Sequence, residues 1–132
     1  MDITRNSERK ALPVPPEWFT GDVLQVPIVT APAPARIRAL SVSFQPGART
    51  AWHTHPLGQT LYVISGRGLV QLEGQPIETI LPGDTVWIAP EERHWHGAAP
   101  DMPMTHIAMQ EADETGSNVT WMEHVTDAQY AG

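Results

Sequence analysis

The stretch Gly47-Ala48-Arg49-Thr50-Ala51-Trp52-His53-Thr54-His55-Pro56-Leu57-Gly58-Gln59-Thr60-Leu61-Tyr62-Val63-Ile64-Ser65-Gly66 carries two histidines at i, i+2, a turn, and an alternating run closed by glycine. Side chains alternate faces along a strand, so this spacing puts both imidazoles on one side. The turn Pro56-Leu57-Gly58 returns the chain, so that the Gln59 amide oxygen points to the same place. A second pair, His94 and His96, repeats the spacing, His106 follows, and only His124 stands apart. A lone histidine is ordinarily a surface or hydrogen-bonded structural residue. Here apolar strands bracket both pairs and turn the rings inward, where an unpartnered imidazole costs a few kcal/mol of desolvation. One metal ion meets that demand, with Gln59 and the two histidine pairs as candidate donors.

Outward from this stretch the period-two pattern recurs. Leu40, Val42 and Phe44 alternate with Ser41 and Ser43 before the Pro46-Gly47 turn. Further runs are Leu61 to Ile64, Leu69 to Leu72, Ile77 to Leu81, Thr85 to Ile88, Met104 to Met109 and Val119 to Val125. Short strands joined by close turns predict an all-β sandwich or barrel. A helix start is legible only at Thr126-Asp127-Ala128-Gln129, where threonine is followed three residues on by glutamine. Residues 1–35 differ: Pro13, Pro15, Pro16, Pro27, Pro32 and Pro34 forbid sustained helix and interrupt ladder bonds, so they read as an arm with short edge strands leading into a barrel at 36–132. Within the arm, Trp18 and Phe19 read as packing residues.

The 132 residues fit one domain with its own core. A net charge of -7 leaves no basic stripe, which excludes nucleic acid and anionic membrane surfaces as expected partners. The absence of cysteine removes disulfides and thiolate ligands. Met1 to Lys10 has no apolar run of a secretory signal, so the expectation is a soluble cytoplasmic protein. Trp52, Thr54, Trp87 and Trp95 have the outward parity of their strands, which predicts a covered outer surface and a symmetric homo-oligomer, dimer or tetramer.

Gly47, His53, His55, Gln59 and Gly66 fall at the spacing of the first cupin motif, G-x5-H-x-H-x3-E-x6-G, with Gln59 in place of the glutamate. The second motif, G-x5-P-x-G-x2-H-x3-N, is matched by Gly83 and His94. Ala89, Glu91 and Ala98 replace its proline, glycine and asparagine, and Pro90 sits one place late. The chain thus resembles the cupins over roughly Ala39 to Gln110. Ala51 to Thr60, His94 to Ala98, Met104 to His106 and Trp121 to Thr126 further resemble the small bacterial cupin hydroxynitrile lyases. That resemblance implies a compact antiparallel jelly-roll barrel and a manganese ion held by His53, His55, His94 and Gln59. It also implies reversible cleavage of cyanohydrins such as (R)-mandelonitrile to aldehyde or ketone and HCN, with His106 the leading acid/base.

Three imidazoles and a neutral amide leave a divalent ion at its full +2 charge, which favours Lewis acidity over oxygen activation. The donors also accept iron, cobalt, nickel or zinc. His96 is a second proton carrier or an orienting group. Gln110 shares strand parity with His106 and is a candidate for binding substrate or cyanide, while Leu40, Val42 and Phe44 are candidates for an apolar pocket wall. Two other classes stay open, a metal-dependent dioxygenase or related oxidoreductase and a non-catalytic small-ligand or metal-binding module.

Overall fold

A computed structural model describes all residues 1–132. The alternating runs fold into two antiparallel sheets packed face to face. The first has the order β2 (Val23–Thr30), β3 (Ile37–Phe44), β11 (Met104–Glu111), β6 (Gln59–Gly66) and β9 (Thr85–Ile88). The second runs β1 (Phe19–Thr20), β4 (Arg49–Thr50), β10 (His94–Ala98), β5 (His53–Thr54) and β12 (Thr120–Trp121), with β7 (Gly68–Leu72) on β10 and β8 (Glu78–Ile80) on β7. The helices are a single 3-10 turn at Asn6–Glu8 and α1 (Asp127–Ala131). No helix is long and apolar enough to cross a membrane.

Register sets the inner face. His106 opposes Val42 on one side and Val63 on the other, and Ala108 opposes Leu40 and Leu61. The inward side chains Phe19, Val42, Phe44, Val63, Val70 and Met104 form the main core between the sheets. The side chain of Thr126 caps α1 with a reciprocal Gln129 bond, the capping box its sequence predicts.

Three expectations change. The arm contributes an eight-residue strand, β2, which tolerates Pro27 because it lies on the sheet edge and bulges between Pro27 and Val29. The run from Val119 to Val125 forms a strand only at Thr120–Trp121; Met122 and Glu123 still exchange backbone hydrogen bonds with Trp52, and the chain beyond packs over the sheet's outer face. That wrap corrects the reading of the tryptophans. Trp52 and Trp95 point outward but are buried by Val125, Met122 and Tyr130 of the same chain, so they need no second subunit to cover them. Trp87, the third tryptophan of outward parity, remains open, 63% exposed.

Candidate metal centre and cavity

β5 ends at Thr54, so His55 lies just beyond the strand, where Pro56 stops the ladder. The chain then turns through Gly58, whose φ of +82° and close approach to the Ile88 carbonyl, 2.7 Å from any added Cβ, admit only glycine. Gln59 opens β6 on the far sheet and faces back toward the histidines. On β10, His94 pairs with His53 across the ladder. The ring centroids of His53 lie 4.2 Å from His94 and 5.0 Å from His55, with His55 and His94 5.5 Å apart. All of these side chains are buried.

Their hydrogen bonds fix the tautomers. His53 Nδ1 donates to the Ala51 carbonyl at 2.9 Å, His55 Nδ1 to Asn118 O at 2.6 Å, and His94 Nδ1 to Glu92 O at 2.9 Å. Each ring therefore presents an Nε2 lone pair inward, the arrangement of metal-bound histidine. His55 Nε2 is buried without any partner. Gln59 Oε1 lies 3.2 Å from His94 Nε2. These orphaned acceptors fit a cation. Burial pushes His94 down to about 4 and lowers His55, and burial reinforced by neighbouring imidazoles holds His53 well below 6.5, so all three are neutral and able to ligate at pH 7.

The ring nitrogens of His53, His94 and His96 also lie within 4.8 Å of one another, a second set of three buried histidines able to hold an ion. His96 differs from the others in its hydrogen bonding. Its Nδ1 meets another imidazole, His106 Nε2, at 2.9 Å, leaving His96 Nε2 and His106 Nδ1 buried and unpartnered. Its tautomer is therefore not fixed by a carbonyl. Burial lowers both rings, His106 to about 4.

A cavity of about 430 Å³ opens against this cluster. His53, His55, Gln59, His96 and Gln110 reach it, as do Leu40 and Val42. Three of the sequence candidates do not: His94, Phe44 and His106. Phe44 is fully buried beneath the wall, its ring 5.4 Å from His106 and 6.0 Å from His96, so it supports the pair rather than lining the pocket. His106 likewise lies behind His96, with no exposure. The amide of Gln110 is engaged at both ends, accepting from Gln59 Nε2 at 3.1 Å and donating to Asn118 Oδ1 at 3.2 Å.

The sequence reading missed Thr50, Asn118 and the arm. Thr50 lines the cavity and accepts the His96 backbone N–H at 3.2 Å. Its i−3 parity to His53 carried no distinguishing signal. Leu12, Pro13, Pro15 and Trp18 also line the cavity, and Trp18 stacks on Trp121 at 5.3 Å, which in turn lies 4.6 Å from the His53 ring.

The fold is a β-barrel whose buried histidine cluster could hold a metal ion, and residues 40–109 match the cupin domain model; the chain belongs to the cupin family. It is 55% identical over 98% of both chains to a Granulicella tundricola protein named (R)-mandelonitrile lyase. Among solved structures, a cupin-like protein from Thermotoga maritima superposes with a TM-score of 0.82 at 35% identity, covering 98% of this chain and 95% of that one. A polyketide cyclase from Streptomyces resistomycificus shares the fold at TM-score 0.75 and 18% identity, over 98% and 90% of the two chains.

Proposed function

We propose that the protein is a metal-dependent hydroxynitrile lyase that reversibly cleaves cyanohydrins, (R)-mandelonitrile among them, to an aldehyde or ketone and hydrogen cyanide. The observation that carries this reading is the full-length 55% identity to a mandelonitrile lyase, joined to a buried histidine cluster at the foot of a cavity. His53, His55, His94 and Gln59 are the ligands, because three rings have Nδ1 tied to a carbonyl and Gln59 turns its oxygen to them. Bound there, manganese, or alternatively iron, cobalt, nickel or zinc, supplies Lewis acidity toward the substrate oxygen.

The chain's own residues handle the proton and the carbon skeleton. His96 faces the cavity with His106 hydrogen-bonded behind it, and this pair accepts the cyanohydrin hydroxyl proton. As the oxygen forms its carbonyl, the carbon–carbon bond to the nitrile breaks and cyanide departs with the electron pair. The same proton then returns to cyanide, giving HCN and restoring the neutral pair. Burial keeps both rings uncharged at pH 7, and so free to accept a proton, although it also weakens each as a base. Leu40 and Val42 form the apolar wall against the aldehyde substituent, and Gln110 borders the same space. The exposed outer face of the five-stranded sheet supports a homo-oligomer.

Turnover of mandelonitrile under anaerobic conditions tests the assignment, comparing manganese-loaded with chelator-stripped protein. Benzaldehyde and cyanide released only by the loaded protein support it. A loaded protein that leaves cyanohydrins intact would remove the lyase reading and leave the metal barrel.

A further inference from the structure

Asn118 lies in the connection between β11 and β12 and meets the site twice, once at His55 and once at Gln110. Its backbone carbonyl accepts from His55 Nδ1 at 2.6 Å, which holds the main chain in place. Its side chain then begins a row of three carboxamides. Gln110 donates Nε2–H to Asn118 Oδ1 at 3.2 Å, Gln59 donates Nε2–H to Gln110 Oε1 at 3.1 Å, and Gln59 Oε1 is left facing His94 Nε2 at 3.2 Å. The row has one polarity: each amide gives a hydrogen to the oxygen of the next.

We infer that Asn118 is a positioning residue that acts through Gln110 to turn the oxygen of Gln59, rather than its nitrogen, toward the metal site. The inference rests on the reading of Gln59 as a ligand. The two ends of a carboxamide have nearly the same shape but opposite polarity. An NH2 group turned inward has no lone pair for a cation and points two hydrogens at it. Gln59 and Gln110 are buried, so a flip of either strands a donor or acceptor away from water. The choice is therefore made at the rim, where Asn118 offers an oxygen. A carboxylate at position 59 would need no such control, since both its oxygens ligate. The relay is thus the local arrangement that lets a neutral glutamine occupy a position where the family motif has glutamate.

Competition between the protein and a chelator for Mn²⁺ tests the relay without relying on turnover. Asn118→Leu removes the acceptor while keeping similar volume, and is expected to weaken Mn²⁺ binding about 10-fold, in the range seen for groups that orient ligands. Asn118→Asp restores the acceptor and should bind Mn²⁺ at least as tightly as the unmodified protein. In a Gln59→Glu background, Asn118→Leu should have no further effect, because the orientation problem no longer exists. Gln110→Leu breaks the row at its middle and provides an independent variant if Asn118→Leu melts early. An equal loss in the unmodified and Gln59→Glu backgrounds would show general damage and overturn the relay. So would unchanged affinity in Asn118→Leu when Gln59→Leu weakens binding. Unchanged affinity in Gln59→Leu itself removes instead the ligand assignment on which the inference stands.

Discussion

His96 and His106 share one hydrogen bond in the buried wall of the cavity, so neither can be removed without changing the proton affinity of the other. If they act as one acid/base unit, His96→Ala and His106→Ala should each lower kcat by about 10² to 10⁴, and the double variant should lose no more than the worse single one. Multiplying losses would show two separate roles. Burial has a second consequence for the metal-free protein. His94 and His106 are depressed to about 4, and His53, His55 and His96 are lowered in the same direction. Between pH 6.5 and 4 the unfolded chain takes up protons that the folded one refuses. Stability is therefore complete above pH 6.5 and falls as pH drops, by about 1.4 kcal/mol per pH unit for each histidine that resists protonation. Urea midpoints of the apoprotein at pH 7.5, 6 and 5 check this; a flat series contradicts it. At this scale the spacing of His53, His55 and His94 was legible because parity is a local property. That His106 sits behind His96 was not, since parity turns both inward and depth depends on which strand lies opposite.

The turn before β10 shows how an element can keep its shape while departing from its motif. Pro90 and Glu91 occupy the centre of a turn closed by Glu92 N–H to Ala89 O at 3.2 Å, and Glu91 has a φ of +64°. Proline followed by a positive φ is the type II arrangement, which favours glycine at the second central place. Glu91 N–H also donates to the His55 carbonyl at 3.0 Å, and Glu92 O receives the His94 ring, so this turn ties two of the histidines together. The strain is tolerated because those bonds hold the backbone. Glu91→Gly removes about 1–2 kcal/mol of left-handed strain and returns about 0.5–1 kcal/mol through a freer unfolded chain. A net gain of about 0.5–1 kcal/mol should raise Tm by a few degrees; a lower Tm would mean that the Glu91 side chain itself stabilises the turn. From the sequence, the missing motif glycine marked this loop as altered, but only the backbone shows that the glycine conformation survives without it.

At the scale of the molecule, the two sheets are covered differently. The outer face of the histidine-bearing sheet is closed by its own chain: Val125 and Tyr130 bury Trp52 and Trp95, and Arg49 reaches through to Val125 O at 2.9 Å and Asp127 at 2.8 Å. The sequence pattern identified these tryptophans as outward but not their cover, because parity says which face a residue takes and nothing about what arrives there later in the chain. The outer face of the other sheet has no such strap. Tyr62 and Ile64 of β6, Trp87 of β9, Ile37 of β3 and Leu24 of β2 lie open on it. Exposed apolar side chains on an uncovered sheet face are the kind of surface that symmetric copies bury against each other. We therefore predict a homo-oligomer, dimer or tetramer, that meets through this face. Light scattering should give a mass that is a multiple of the single chain, and Trp87→Glu, which places a charge in the patch, should shift it to monomer with the fold intact by circular dichroism. A monomeric parent protein ends the proposal, and an unchanged assembly in Trp87→Glu moves the interface to another face.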